Sequence, residues 1–108
     1  MPHYLLQASY TAQGVSGLVK SPEDRSAVVR ALVEGVGGRV EAYYYAFGDS
    51  DVIAIIELPD NVTMAALSMA VGASGSVTNV RTTVLIPISE GVEAARKAAG
   101  ISYRPPGS

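Results

Sequence analysis

Five side chains are the main candidates for chemistry in this sequence: Gln7, Tyr43, Tyr45, Glu57 and Arg81. Because strand residues alternate sides, all five are expected on one face of a predicted sheet. Tyr43 and Tyr45 could hold a small aromatic or carbonyl-bearing ligand by stacking and hydrogen bonding. The alternative is a purely structural role, in which the two rings fill an interface and their hydroxyls reach solvent at its rim.

Glu57 is the one candidate catalytic residue. A carboxylate in an apolar cavity has a raised pKa and could serve as a general base in a cofactor-free enzyme of the monooxygenase, isomerase or decarboxylase type. The competing interpretation is a structural ion pair with Arg81 or a charge at the rim of an interface. Binding is therefore the favoured role, with catalysis as the alternative.

The sequence predicts no metal ion and no cofactor. It has no cysteine and a single histidine, His3. One chain therefore cannot assemble a cysteine-type metal site, a multi-histidine metal site or a Ser-His catalytic site. We expect His3 simply to start a strand. The segment Gly48-Asp49-Ser50-Asp51 offers two carboxylates and a hydroxyl, but divalent cations usually take more oxygen ligands. Turn formation explains these residue types better.

Composition bounds the remaining possibilities. With 108 residues the chain has room for one domain, predicted over residues 1–100, and a flexible tail over 101–108. It is 48% hydrophobic and 17% charged, which for so small a body indicates surface hidden by further copies. A net charge of −2 argues against nucleic acid. No segment approaches the ~20 apolar residues of a bilayer span, so we expect no membrane partner and a cytoplasmic protein.

Hydrophobic periodicity and turn residues predict the order βαββαβ with an added C-terminal helix. The strands are predicted over 3–10, 39–47, 52–58 and 77–86. The helices are predicted over 15–20, from Ser21 to about residue 36 with Gly37-Gly38 as the stop, over 62–71, and from Ser89 to residue 99. This order is that of a ferredoxin-like α+β fold, with an antiparallel sheet carrying helices on one face.

The other face of this sheet is too apolar to face water alone. Alternation assigns to it the apolar residues Leu5, Tyr43, Tyr45, Phe47, Ile53 and Ile55 together with Gln7, Glu41 and Glu57. A patch of this kind is larger than monomers usually expose. The simplest cover is the same face of a second subunit, which would make a dimeric α+β barrel-like assembly. A ring built through sheet edges is the alternative.

Five stretches, in this order and spacing, resemble the GYD-domain family of uncharacterised bacterial and archaeal proteins: MPHYLL (1–6), VGGRV (36–40), FGDSDV (47–52), ELPD (57–60) and RTT (81–83). The resemblance covers about residues 2–88. Ser50 stands where the family motif has tyrosine, so any ligand role of that tyrosine would pass to Tyr43 or Tyr45. The resemblance implies a ferredoxin-like fold and oligomers, and no established activity.

Together these observations predict an oligomeric module that binds a small molecule or a partner through the non-helical sheet face. A cofactor-free enzyme with its site between subunits is the first alternative. A purely structural self-assembling protein is the second.

Overall fold

A computed structural model describes residues 1–107 and contains one four-stranded antiparallel sheet in the order β2-β3-β1-β4. The elements are β1 (His3–Tyr10), α1 (Ala12–Lys20), α2 (Ser26–Glu34), β2 (Arg39–Tyr45), β3 (Val52–Glu57), α3 (Asn61–Ala73), β4 (Val77–Leu85) and α4 (Ile88–Ala99). The predicted α+β class and the ferredoxin-like order are confirmed. Residues 101–105 form no helix or strand.

The starts of α1 and α2 differ most from the sequence prediction. The Thr11 side chain accepts a hydrogen bond from the Gly14 backbone N–H (3.1 Å), so α1 begins at Ala12, three residues earlier than predicted. Ser21, predicted to begin α2, instead ends α1 by donating its backbone N–H to Gly17 O. Helix α2 starts only at Ser26, whose backbone N–H donates to Asp24 Oδ1 (2.9 Å).

The hydrophobic core lies between the sheet and the helices α2 and α3. Its buried members are Tyr4, Val33, Ala54, Ile56, Leu58, Met64 and Leu67. The buried Tyr4 hydroxyl donates to Asn61 Oδ1 at the start of α3 (2.6 Å), which satisfies the one polar group that this ring brings into the core. Asp60 caps α3 by accepting from the Thr63 backbone N–H (2.8 Å).

A β-bulge in β2 determines which tyrosines face the helices. Val40 pairs with Ile56 and Ala42 with Ile55, so Glu41 is an extra residue in β2. Beyond it, Tyr43 pairs with Ala54 and therefore lies on the helix-covered face. Strict alternation from Val40 would have placed it on the opposite face.

The placement of Tyr43 and Tyr45 on the non-helical face was therefore wrong. Tyr45 pairs with Val52 on the helix side, whereas Tyr44 pairs with Ile53 on the open side and is 67% exposed. The strand also ends at Tyr45, two residues earlier than predicted, and Phe47 lies exposed in the connection to β3.

The C-terminal helix α4 contributes no buried residue, although it carries Ile88 and Val92. The molecule is elongated, with principal extents of 59 × 33 × 22 Å. None of the helices within residues 1–107 combines the length and the apolar character needed to cross a membrane.

We expect Gly38→Ala to lower the free energy of unfolding by about 1–3 kcal/mol, the usual cost of overpacking. A Cβ at Gly38 would collide with Glu57 O, a backbone atom that cannot move aside, and with the Leu58 side chain. Gly72→Ala is the matched control, because a Cβ there meets nothing within 4 Å and alanine favours the helix by up to about 1 kcal/mol. Urea unfolding followed by circular dichroism measures both. Equal stability of the two variants would contradict the prediction.

Candidate functional site

The open face of the sheet is the face that α2 and α3 leave uncovered. Strand pairing places on it His3, Leu5, Gln7, Ala42, Tyr44, Ile53, Ile55, Glu57, Arg81 and Thr83. Leu5, Ile53 and Ile55 lie side by side across β1 and β3 and are only half-buried in the single chain. An apolar band therefore runs across the middle of this face, with polar side chains at either end.

A charged cluster of His3, Arg39, Glu41 and Glu57 forms one end of the open face. His3 Nδ1 lies 2.6 Å from Glu41 Oε1, and His3 Nε2 lies 3.6 Å from Glu57 Oε1. Arg39 forms an ion pair with Glu57 Oε2 and approaches Glu41 Oε1 at 3.8 Å. Glu41 lies two residues from Arg39 along β2 and on the same face, and its side chain reaches across β3 to His3 on β1.

The same cluster contains the residues that could hold a metal ion. One ligand atom from each of His3, Glu41 and Glu57 lies within 4.8 Å of the others. One nitrogen and two carboxylates suit a transition metal, but the Arg39 guanidinium already supplies a cation to both carboxylates. The sequence-based view of His3 as a mere strand start missed this cluster. The alternation of side chains along each strand placed Glu41 and Glu57 on the same face as His3, but only the pairing of the strands shows that the three side chains lie close together.

Arg81 does not meet Glu57. It pairs with Gln7 across β1 and β4, and its guanidinium donates to Ser50 Oγ (2.7 Å). Glu57 pairs instead with His3, four residues from Gln7 along β1, or about 13 Å at the usual rise per residue. The expected grouping of Gln7, Glu57 and Arg81 is thus divided between the two ends of the open face.

The connection between β2 and β3 serves the fold. Ser50 is 4% exposed and accepts from Arg81. Asp51 donates its backbone N–H to Ala8 O (2.9 Å) and accepts from the Tyr10 backbone N–H through Oδ2 (2.9 Å). The Ser50 hydroxyl and Asp51 Oδ2 are therefore engaged by protein donors, in agreement with the turn interpretation of this segment.

A second candidate site lies on the helix-covered face, which Tyr43 and Tyr45 face because of the bulge at Glu41. These two rings and Tyr10 form a cluster, with centroid separations of 6.1 Å for Tyr43–Tyr45 and 6.3 Å for Tyr10–Tyr45. Burial raises the pKa of Tyr10, and the neighbouring phenols Tyr43 and Tyr45 raise it further. Burial and the Tyr45 phenol also raise the pKa of Tyr43, while the hydrogen bond with Tyr10 and the charge of Arg25 partly offset this rise. Both phenols therefore stay protonated at neutral pH and can donate hydrogen bonds.

This tyrosine cluster stands at one end of a cleft of about 340 Å³ between α2 and α3. The floor and walls of the cleft are mainly aliphatic: Leu6, Ala8, Val28, Val29, Leu32, Val33, Val52, Ala54, Ile56, Leu67, Ala70, Val71 and Val77. Tyr10, Tyr43, Arg25, Ser74 and Ser76 supply its polar groups. A more polar depression of about 490 Å³ beside α1 shares Tyr10, Arg25 and Ser76 with it.

The sequence profile of the GYD domain matches residues 4–95, which include all four strands except His3 and the first two thirds of α4. The chain belongs to the GYD-domain family. Comparison with curated proteins gives no significant match. Among solved structures, the crystal structure of FFRP-DM1 superposes with a TM-score of 0.50 at 14% sequence identity, covering 80% of this chain and 100% of that one. At this identity the likeness concerns the fold alone.

The tyrosine cluster of this GYD domain makes a specific pH prediction. Because the folded protein raises the pKa of Tyr10, it holds a proton that the unfolded chain releases near pH 10. The stability from this protonated phenol is complete below that pH and is lost as the pH rises toward the higher folded value. Raising the pH from 8 to 11 should therefore destabilise the wild type more than Tyr10→Phe.

Urea unfolding at the two pH values measures this difference. Tyr103→Phe is the control, because Tyr103 is 75% exposed and lies in the C-terminal segment away from the cluster. The same pH dependence in wild type and Tyr10→Phe would contradict a role for the buried phenol.

Proposed function

We propose that this GYD domain is a homo-oligomeric module that covers its open sheet face with a second copy and binds a small molecule at that face. The observation that carries the proposal is the apolar band of Leu5, Ile53 and Ile55 lying directly beside the charged cluster. Assembly accounts for the band, and ligand binding accounts for the cluster.

The band supplies the driving force for assembly. Removing apolar surface from water contributes about 25 cal/mol per Å², and the half-buried side chains of Leu5, Ile53 and Ile55 still have apolar surface to lose. Tyr44 adds an exposed aromatic ring at one side of the band. Aromatic and aliphatic side chains at the centre of a patch, with charges outside it, have the usual anatomy of a subunit interface.

The charged cluster supplies the recognition. It combines a guanidinium, an imidazole and two carboxylates, so a small polar molecule with both donors and acceptors would find partners there. Covering the face would remove water from around these groups and strengthen each hydrogen bond they make. Glu57 is already paired with Arg39, and a paired carboxylate suits binding better than it suits general-base catalysis.

The assembly is tested by Ile55→Lys, which places a charge in the centre of the open face. We expect this variant to lose the oligomer and remain folded, because the side chain is half-buried in the single chain and the helix-side core is untouched. Val62→Lys makes the same kind of change at a 79% exposed position on α3 and should leave the assembly intact. Sedimentation equilibrium gives the masses, and a wild-type monomer at high concentration would overturn the proposed assembly.

Binding at the cluster is tested by Glu57→Gln, with Glu34→Gln on α2 as the control. Ligand-observed NMR with a set of amino acids, small amines and hydroxy acids should give hits for wild type and Glu34→Gln that disappear for Glu57→Gln. Hits that persist in Glu57→Gln would place the ligand elsewhere. The wild type could instead turn over quinones, enols or small oxo-acids, and Glu57→Gln could abolish this activity without changing the mass of the oligomer. That result would show that the protein is an enzyme and not a binding module. If the protein is an oligomer but shows neither ligand binding by NMR nor turnover, it is a purely structural self-assembling protein.

A further inference from the structure

We propose that the cleft between α2 and α3 is a second binding site, independent of the open face, and that its ligand is a small amphipathic carboxylate. The cleft and the charged cluster lie on opposite faces of the sheet. A ligand can therefore bind in the cleft whether or not the charged cluster is occupied. This proposal does not rest on the function proposed for the open face.

The apolar part of the cleft selects the body of the ligand. It is built from branched aliphatic side chains on α2 and α3 over a floor in which Ala8 and Ala54 leave room above β1 and β3. Val28 and Leu32 remain substantially exposed on the α2 side, so these walls still have apolar surface to bury. A volume of about 340 Å³ lies at the small end of ligand cavities, which favours a single ring or a short chain.

The polar end of the cleft selects the head of the ligand. Arg25 presents a guanidinium, and Tyr10 and Tyr43 present phenols beside it. A planar carboxylate can accept from the guanidinium and from a phenol at once, and hydrogen bonds between charged partners are the stronger kind. A cationic head would meet Arg25 at this end, so electrostatics select against it.

Glu23, which pairs with Arg25, does not block this end. Glu23 approaches the guanidinium at 2.9 Å, but both side chains are substantially exposed, at 53% for Glu23 and 41% for Arg25. Exposed pairs of this kind contribute little in water. A ligand carboxylate held by its body in the cleft can therefore take the place of Glu23.

Phenylacetate and its neutral isostere phenylacetamide test the proposal directly. We expect the full-length protein to bind phenylacetate at least about tenfold more tightly, as measured by titration of methyl signals in NMR spectra. The shifts should map to valines and leucines of the cleft. Equal affinity for the two compounds, or no binding of either, would overturn the proposal.

Two pairs of variants locate the site. Arg25→Met should weaken phenylacetate binding by about tenfold and leave phenylacetamide unchanged, whereas Arg30→Met, a charge removal on the exposed side of α2, should change neither. Tyr43→Phe should weaken phenylacetate binding more than Tyr44→Phe, because only Tyr43 lines the cleft. Equal effects within either pair would overturn the assignment.

One further outcome separates this site from the open face. Ile55→Lys should retain phenylacetate binding even if it dissociates the oligomer, because Ile55 lies on the other side of the sheet. If Arg25→Met instead changes the mass of the assembly and phenylacetate fails to bind, the cleft receives a second copy of the chain and the ligand proposal is wrong.

Discussion

The pairing of β2 with β3 is the constraint on which both candidate sites depend. One extra residue, Glu41, interrupts the alternation, so that the side chains before and after it do not follow a single two-residue repeat. Glu41 stays on the open face, where it reaches His3, while Tyr43 and Tyr45 beyond it turn toward the helices. A strand without the bulge would have put both tyrosines on the open face and left the helix-side cleft without Tyr43.

The two faces of the sheet are consequently different chemical surfaces. The open face has an apolar band and, at one end, a polar group in which Arg39 and His3 meet two carboxylates. The helix face has an aliphatic cleft with protonated phenols and a guanidinium at one end. The strands β1 and β3 separate them and contribute side chains to both, so the central pair of the sheet is the common support of the two sites.

Regular alternation predicts the central strands well and β2 poorly. In β1 and β3 the helix-side residues Tyr4, Ala8, Ala54 and Ile56 are buried, and Leu6 and Val52 between them are half-buried, as strand alternation requires. In β2 beyond Glu41 both faces carry apolar or aromatic residues, from Ala42 through the three tyrosines, so hydrophobicity cannot reveal a shift by one residue. The predicted start of α2 was also wrong. Ser21 is a residue type that often forms an N-cap, but its backbone N–H ends α1 instead.

The sequence by itself determined the α+β class, the order of the elements and membership in the GYD-domain family, because periodicity, turn residues and motif spacing are local properties of the chain. Only the tertiary structure decided which side chains share a site. His3 and Glu41 are 38 residues apart and meet because β1 and β2 both flank β3. Arg25 reaches the tyrosines because α2 lies over β2. Such encounters depend on strand register and on a one-residue bulge, and no local pattern encodes either.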